Sequence, residues 1–330
     1  MKARWIDLGE CEAADYHATY AGVAEAMRPE DNPVVVWGMP ATHFCLGQHQ
    51  SAAAELIEQS HIPVIRRPLG GGGVWLDRNQ PCVVMVAPRN FFPVRPEAWY
   101  AHALAPVLQV YREMSWPVKL VRQDIWLDDK KLGGSGAASI AQAGLVGTSF
   151  LLKFPAAEFA RLIDTPSDGF RLWLDEALLN SVTSWAEHAS VPDPAWLSLV
   201  YRRAAAGIFG WRWEQSLLRD DEHAAVDDYR SELLPDGDRR ARQIPYGIKI
   251  RARHYLTERD FDGASLRVLT RDRTVARLAL SAVPQLPERL FADEVATQPV
   301  LSAALRTYLP ADKAELWAQR ILATAYFEEA

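Results

Sequence analysis

The sequence predicts an α+β protein, a mixed, largely antiparallel sheet with flanking helices followed by a small C-terminal α+β module. Short apolar runs with strand character recur through the first part of the chain, several of them separated by tight turns too short for a parallel crossover. Segments with helical spacing are interspersed among them. The 330 residues exceed the usual span of one domain, leaving room for a main body of over ~200 residues and a smaller second one.

Glu12 to Met27 has apolar residues near helical spacing, and Pro29-Glu-Asp-Asn-Pro33 breaks that pattern before the strand-like Val34-Val-Val-Trp37. Val64-Ile65, Val83 to Val86, Val118 to Leu120, Asp124 to Leu127 and Ser149 to Leu152 are further strand candidates. Asp128-Asp-Lys130 is a polar turn that would fold the chain back as a hairpin, with Lys131 at the start of the return strand. Glu97 to Met114, Ala156 to Ile163 and Pro194 to Phe209 have helical patterns. Leu218 to Gln243 is charged and carries Pro235-Asp-Gly-Asp238, so it is expected to be a linker. The domains are accordingly 1–245, with 218–243 as the linker region, and 246–330. In the second, Ala264 to Ser281 alternates as strands around a turn at Arg271-Asp-Arg273. Pro310 opens a helix to about Phe327, with Leu316, Trp317, Ile321 and Leu322 along one face.

With 36 basic and 42 acidic residues the formal charge is −6, so no global positive field draws the chain to nucleic acid or an anionic membrane. No apolar run approaches the roughly 18 to 20 residues of a membrane span, and Met1 to Gly9 is too polar for a signal peptide; a cytoplasmic location is expected. Cys11, Cys45 and Cys82 are odd in number and lack CxxC spacing, which predicts reduced thiols in or near a core and neither a disulfide framework nor a zinc site.

The segment Arg66-Arg-Pro-Leu-Gly-Gly-Gly-Gly-Val-Trp-Leu-Asp77 sets four consecutive glycines after an arginine pair. Four glycines imply close backbone approach by a ligand or a mobile turn. Adjacent arginines favour an anionic ligand, because successive N–H groups form an anion-binding concavity and guanidinium adds bidentate donors. Neither a Walker A loop nor a dinucleotide fingerprint fits: no Gly-Lys-Ser/Thr follows, and Trp75 stands where the fingerprint starting at Gly70 needs glycine. A second block, Arg122-Gln-Asp-Ile-Trp-Leu-Asp-Asp-Lys-Lys-Leu-Gly-Gly-Ser-Gly136, again joins cations to glycines. Its lysine can present an ammonium to a bound anion, although position alone does not distinguish it from a solvated surface lysine. Gly133-Gly-Ser-Gly-Ala137 falls one glycine short of the nucleophile elbow and follows a hairpin, so a serine hydrolase is disfavoured.

Taken together these blocks resemble the lipoate-protein ligase A family, within the biotin/lipoate ligase and octanoyltransferase superfamily, whose members carry RRxSGGGxVxHD and, farther on, G-R-N-D and K-[hydrophobic]-S-G-S-A. Arg66, Arg67, Gly70, Gly71, Gly72, Val74 and Asp77 match the first block, and Arg122, Asp124, Lys131, Leu132, Gly134 and Ser135 the second. Leu46-Gly47 and Gln50 match an upstream element, Gly147-Thr148 a downstream one, and Asn180-Ser-Val-Thr-Ser184 looks like the later V-T-N segment. The resemblance covers residues 1 to 210, with a weaker one from Tyr255 to Phe327 to the family's accessory domain. The fold it implies is that shared by biotin and lipoate ligases and class II tRNA synthetases.

The activity implied is ATP-dependent: lipoate or octanoate is activated to lipoyl-AMP or its octanoyl counterpart and passed to a lysine of a lipoyl-domain or H-type carrier protein. ATP, Mg²⁺ and lipoate enter as substrates, there is no tightly bound cofactor, and a monomer is expected. By resemblance, Lys131 is catalytic and contacts both phosphate and acyl carbonyl. Arg67, Gly70, Gly71, Gly72, Gly73, Val74, Asp77, Asp124, Gly134 and Ser135 would hold ATP and the acyl-adenylate, with Asp124 as a Mg²⁺ or ribose contact. Trp37, Trp75, Leu76 and Gly147 are assigned to the acyl-chain pocket.

Leu69 replaces the family serine, Gly73 a small residue, Leu76 the histidine of HD, Gln123 asparagine, Gly133 serine, Gly136 alanine, and Val146 the histidine before Gly-Thr. These changes predict a drier and roomier pocket. The rival readings are an octanoyltransferase, which needs a cysteine after the lysine block where none follows Cys82, and a non-catalytic lipoate-binding homologue. A biotin ligase would show GRGRxG, which is absent.

Overall fold

The computed structural model describes residues 1–57, 61–233, 242, 244–292 and 294–328. In chain order the elements are β1 (Lys2–Cys11), α1 (Ala13–Glu25), β2 (Val34–Pro40), β3 (His43–Leu46), α2 (Ala52–Glu55), β4 (Val64–Arg66), β5 (Val74–Leu76), β6 (Cys82–Pro88), α3 (Glu97–Ala103) and α4 (Ala105–Glu113). There follow β7 (Lys119–Val121), β8 (Asp124–Leu127), β9 (Lys130–Gly133), β10 (Ser135–Ile140), β11 (Ala143–Ser149), α5 (Ala156–Leu162), α6 (Asp168–Ser181), α7 (Pro194–Phe209), β12 (Arg212–Gln215) and α8 (Asp220–Glu232). The chain ends with β13 (Gly247–Arg251), β14 (His254–Phe261), β15 (Ala264–Arg271), β16 (Thr274–Leu280), α9 (Gln298–Leu305) and α10 (Ala311–Thr324).

Contacts divide the chain into one unit of residues 1–53, 58–155 and 182–239 and another of 54–57, 156–181 and 240–330. A single cut at residue 245 does not describe this division, because α5 and α6 cluster with the C-terminal strands. The first unit is built on a six-stranded mixed sheet in the order β10-β11-β6-β2-β1-β12. Four of its strands pair antiparallel, while β1 runs parallel to both β2 and β12. The apolar runs are continuous because both faces are covered. Val35 and Trp37 of β2, with Val83 and Met85 of β6, enter one core; Val34 and Val36, with Val84 and Val86, enter the other, as the two-residue period of a strand requires. Two three-stranded sheets, β4-β3-β5 and β7-β8-β9, complete the unit.

Several expectations change in the folded chain. Glu97 to Met114 is two helices meeting at Leu104, where Pro106 lacks the N–H that a continuous helix would use. Strand β11 stops at Ser149, and the next residues are pinned by isolated bonds, Phe150 N to Pro81 O at 2.9 Å and Leu152 N to Asn79 O at 3.0 Å. Within Leu218 to Gln243 the expected linker contains helix α8, while Pro235 to Asp238 lie outside the described residues. Glu222 of α8 is fully buried and takes the Arg4 guanidinium through two oxygens at 2.5 and 2.9 Å. Gly22 of α1 lets α8 approach so closely that a Cβ there would lie 2.6 Å from the Val226 backbone nitrogen.

In the second unit, β13 to β16 form an antiparallel sheet, and Leu266, Val268 and Leu278 pack with Leu301, Trp317 and Ile321 from α9 and α10. On α10 the buried stripe is Ala314, Trp317, Ala318 and Ile321, and Leu316 is exposed. Two guanidinium groups lie over the ring of Trp173 of α6, Arg277 at 4.0 Å and Arg267 at 5.1 Å from its centroid. Among the described residues, no helix is long and apolar enough to cross a membrane.

Candidate active site

Three segments of the first unit meet at backbone contact distance. The loop after β4 carries Gly70 to Gly73, the strand β10 carries Gly136, and the turn after β3 carries Gly47. Gly70 N donates to Ala137 O at 3.3 Å, a Cβ on Gly136 would lie 2.8 Å from Gly70 O, and one on Gly47 would lie 1.9 Å from Gly71 O. Gly71, at φ +104°, has the backbone conformation that side-chain-bearing residues rarely take. Gly73 is required by Phe44, whose ring atoms would sit 2.7 Å from an added Cβ, whereas Gly72 has open space there.

Arg67 organises this loop. It is 7 % exposed, and its fork donates to Cys45 O at 3.0 Å, Gly70 O at 3.0 Å and Gly72 O at 2.8 Å. Its neighbour Arg66 alternates away: the backbone N–H joins Leu233 O at 2.8 Å, and the side-chain Nε and Nη2 are buried without a hydrogen-bond partner among the described residues. Arg67 therefore directs donors into the loop that sequence reasoning had assigned to a bound phosphate.

Lys131 is built differently. The β8–β9 hairpin turns through Asp128, at φ 52°, and sets Lys131 opposite Trp126. Its backbone carbonyl accepts from Thr183 N at 2.9 Å, which fixes the strand. The ammonium lies 3.0 Å from Asp124 Oδ1, with the lysine side chain 23 % exposed and the aspartate 7 %. A Cβ on Gly134 would fall 3.0 Å from Lys131 Nζ, so the glycine there lets the lysine cross the backbone. Gly134 O accepts from Thr148 Oγ1 at 2.8 Å, and the Ser135 hydroxyl donates to Gln123 O. An ammonium thus lies beside a glycine backbone, with a buried carboxylate holding it, and an ammonium so placed can stabilise charge developing on phosphoryl or carbonyl oxygen. Tyr100 of α3, which no sequence pattern singled out, bonds the Ala137 backbone, and burial raises its phenol above the usual range.

Other predicted residues take structural positions. Asp77 accepts from Trp75 Nε1 at 2.8 Å and Asn79 N at 2.7 Å, so both oxygens tie the turn between β5 and β6. Val74 pairs with Cys45 across β5 and β3. Leu76 packs with Leu69 and Leu145, while Trp37 packs with Trp5, Phe150 and Tyr201 in the core on the other face of the large sheet. Leu76 thus shares a core with Leu69, and Trp37 enters the other. Gly147, opposite Gly136 on β11, is covered by Leu69, whose Cδ1 would lie 2.9 Å from an added Cβ. Leu69 also approaches Gly136 to 3.2 Å by the same measure, so the larger residue fills the space left by the smaller ones. Room that the smaller residues would leave is taken up by Leu69 at this point.

The thiols are unsuited to nucleophilic attack. Cys45 and Cys82 are buried, and burial raises both above the ordinary thiol range. Burial, with Asp15 and Glu12 nearby, pushes Cys11 up to about 11.

Among solved structures, the fold is similar to a bipartite lipoate protein ligase from Thermoplasma acidophilum, with a TM-score of 0.65 and 15 % identity over 70 % of this chain and 93 % of that one. It is also similar to a lipoate-protein ligase A bound with ATP, at 0.60 and 15 % over 70 % and 95 %. Plasmodium falciparum LipL1 in complex with lipoate gives 0.54 and 10 %, covering 98 % of this chain and 99 % of that one. No curated protein matches the sequence. The model of the lipoyl protein ligase A/B catalytic domain matches residues 20–192, over half of the chain, and the chain belongs to that family.

Proposed function

We propose that the protein is an ATP-dependent lipoate-protein ligase. Lipoate or octanoate carboxylate would attack the α-phosphorus of ATP, releasing pyrophosphate and forming the acyl-adenylate. A lysine amine of a lipoyl-domain or H-type carrier protein would then attack the acyl carbonyl, releasing AMP and a proton. The observation that carries this reading is Lys131: a partly exposed ammonium held by buried Asp124 beside the Gly134 backbone. There it would stabilise charge first on the phosphoryl oxygens and then on the acyl oxygen. Asp124 is the carboxylate that would hold Mg²⁺ on the triphosphate, where the ion would neutralise phosphate charge. Arg67 would act through the loop it braces, and the N–H groups of Gly71 to Gly73 would face the phosphates.

The reading is supported by family membership, by neighbours carrying ATP or lipoate, and by one neighbour described with its E2 lipoyl domain. The buried, unactivated thiols disfavour acyl transfer through a cysteine. Pyrophosphate exchange into ATP tests it, with exchange expected only when lipoate or octanoate is present. Absence of exchange together with octanoyl transfer from an acyl-carrier thioester would overturn the ligase reading.

A further inference from the structure

Helix α1 and strand β3 bring three ligand-type side chains together in the core. His17 Nε2 lies 2.9 Å from His43 Nε2 and 3.6 Å from Cys45 Sγ, and the three ligand atoms fall within 4.8 Å of one another. All three residues are at most 2 % exposed. His43 and Cys45 are two residues apart on β3, which puts them on one face of the strand.

The outer atoms of both imidazoles are already occupied. His43 Nδ1 is 2.7 Å from Ala41 O, so that nitrogen carries the proton and Nε2 presents a lone pair to the cluster. His17 Nδ1 is 2.9 Å from the Tyr20 hydroxyl. Such outer partners orient metal-ligating histidines and select their tautomers. Coordination needs neutral imidazoles with a free nitrogen, and the Ala41 carbonyl and the Tyr20 hydroxyl hold the outer nitrogens so that both Nε2 atoms face the cluster. Arg67 Nη1 lies 3.5 Å from Cys45 Sγ, placing a positive charge where a thiolate would form.

We propose that His17 Nε2, His43 Nε2 and Cys45 Sγ form a binding site for one soft monovalent cation, copper(I). Thiolate and imidazole suit copper(I), and charge balance separates it from zinc. As the ion enters, the Cys45 proton leaves to solvent. The His17 proton moves from Nε2 to Nδ1, with the Tyr20 hydroxyl changing from donor to acceptor, and one metal–sulfur and two metal–nitrogen bonds form. One positive charge replaces another, and no electron moves. A dication would add an uncompensated charge beside buried Arg67, a costly step in the core. An ion ~2.0 Å from both nitrogens needs them roughly 3.3 Å apart or more, so the 2.9 Å pair opens by a small ring rotation. This site stands independently of the ligase reading.

The test is anaerobic titration of the full-length protein with copper(I) against a chromogenic copper(I) chelator, with zinc(II) titrated in parallel. One copper(I) per chain should be withheld from the chelator, and Cys45→Ser should weaken binding by at least about tenfold. Cys11→Ser and Cys82→Ser should retain it. X-ray absorption of the copper-loaded wild type should show one sulfur and two nitrogens around the ion, a measurement that decides the matter if Cys45→Ser fails to fold. Loss of all copper to the chelator, retention by folded Cys45→Ser, tighter binding of zinc(II) than copper(I), or a different ligand set would each overturn the proposal.

Discussion

The glycine loop carries a guanidinium that is 7 % exposed and donates to three backbone carbonyls, whereas the neighbouring hairpin carries an ammonium, 23 % exposed, beside one carboxylate. Both belong to glycine-rich blocks, yet packing has divided their labour. The planar fork of Arg67 matches carbonyls that diverge around a tight loop, and those donors cannot serve a ligand without releasing the loop. Lys131 is a compact charge on a flexible stem, and its only side-chain partner among the described residues is Asp124. A cation can thus be the frame of a site or its chemistry, and the difference lies in what its donors already hold.

The contrast can be broken first at the lysine. Lys131→Ala should reduce lipoate-dependent pyrophosphate exchange by about 100-fold or more, with a smaller loss of stability than Arg67→Met because only the Asp124 carboxylate loses its partner. A large fall in stability would place Lys131 with the frame. Arg67→Met should do the reverse, destabilising the first unit by on the order of 4 kcal/mol as the buried carbonyls of Cys45, Gly70 and Gly72 lose charged donors. Urea unfolding measures it, and an unchanged midpoint with lost exchange would make Arg67 a direct ligand contact.

Acid should strike the loop side next. His43 titrates near 4 in the folded chain against 6.5 when unfolded, so the unfolded chain binds the extra proton between these values. Stability from this group is fully present above pH 6.5 and is lost as pH falls toward 4, by about 3 kcal/mol. His17, lowered by burial and by His43 and Arg67, adds a loss of the same sign. Unfolding midpoints measured between pH 7.5 and 4.5 should show this slope, and His43→Gln should flatten it. The smallest effect separates two glycines. Gly136→Ala should cost roughly 1 to 3 kcal/mol because its Cβ meets Gly70 O at 2.8 Å, while Gly72→Ala, with open space around it, should stay within about 0.5 kcal/mol in thermal melts.

Much of this was legible in residues close together in the chain. Val34 to Trp37 and Val83 to Val86 announce buried strands, Asp128-Asp-Lys130 announces the hairpin that aims Lys131, and Pro194 opens α7. Helix α8 was hidden because its charged surface outweighs the two residues it buries, Glu222 and Val226, and because Glu222 is neutralised by Arg4 from the far end of the chain. Which face of the large sheet Trp37 enters was not legible either, because a one-residue step along β2 selects it.

The sequence by itself determined the α+β class and the hairpin that returns at Lys131, because strand period and turn chemistry act over a few neighbouring residues, and its two glycine blocks carried the resemblance to the family. Only the tertiary structure decided that Arg67 braces the loop, that Leu69 fills the space over Gly136 and Gly147, and that His17 meets His43 and Cys45. Those outcomes depend on which side chains the packing of distant segments brings within a few ångströms, and burial then sets their charge and their available donors.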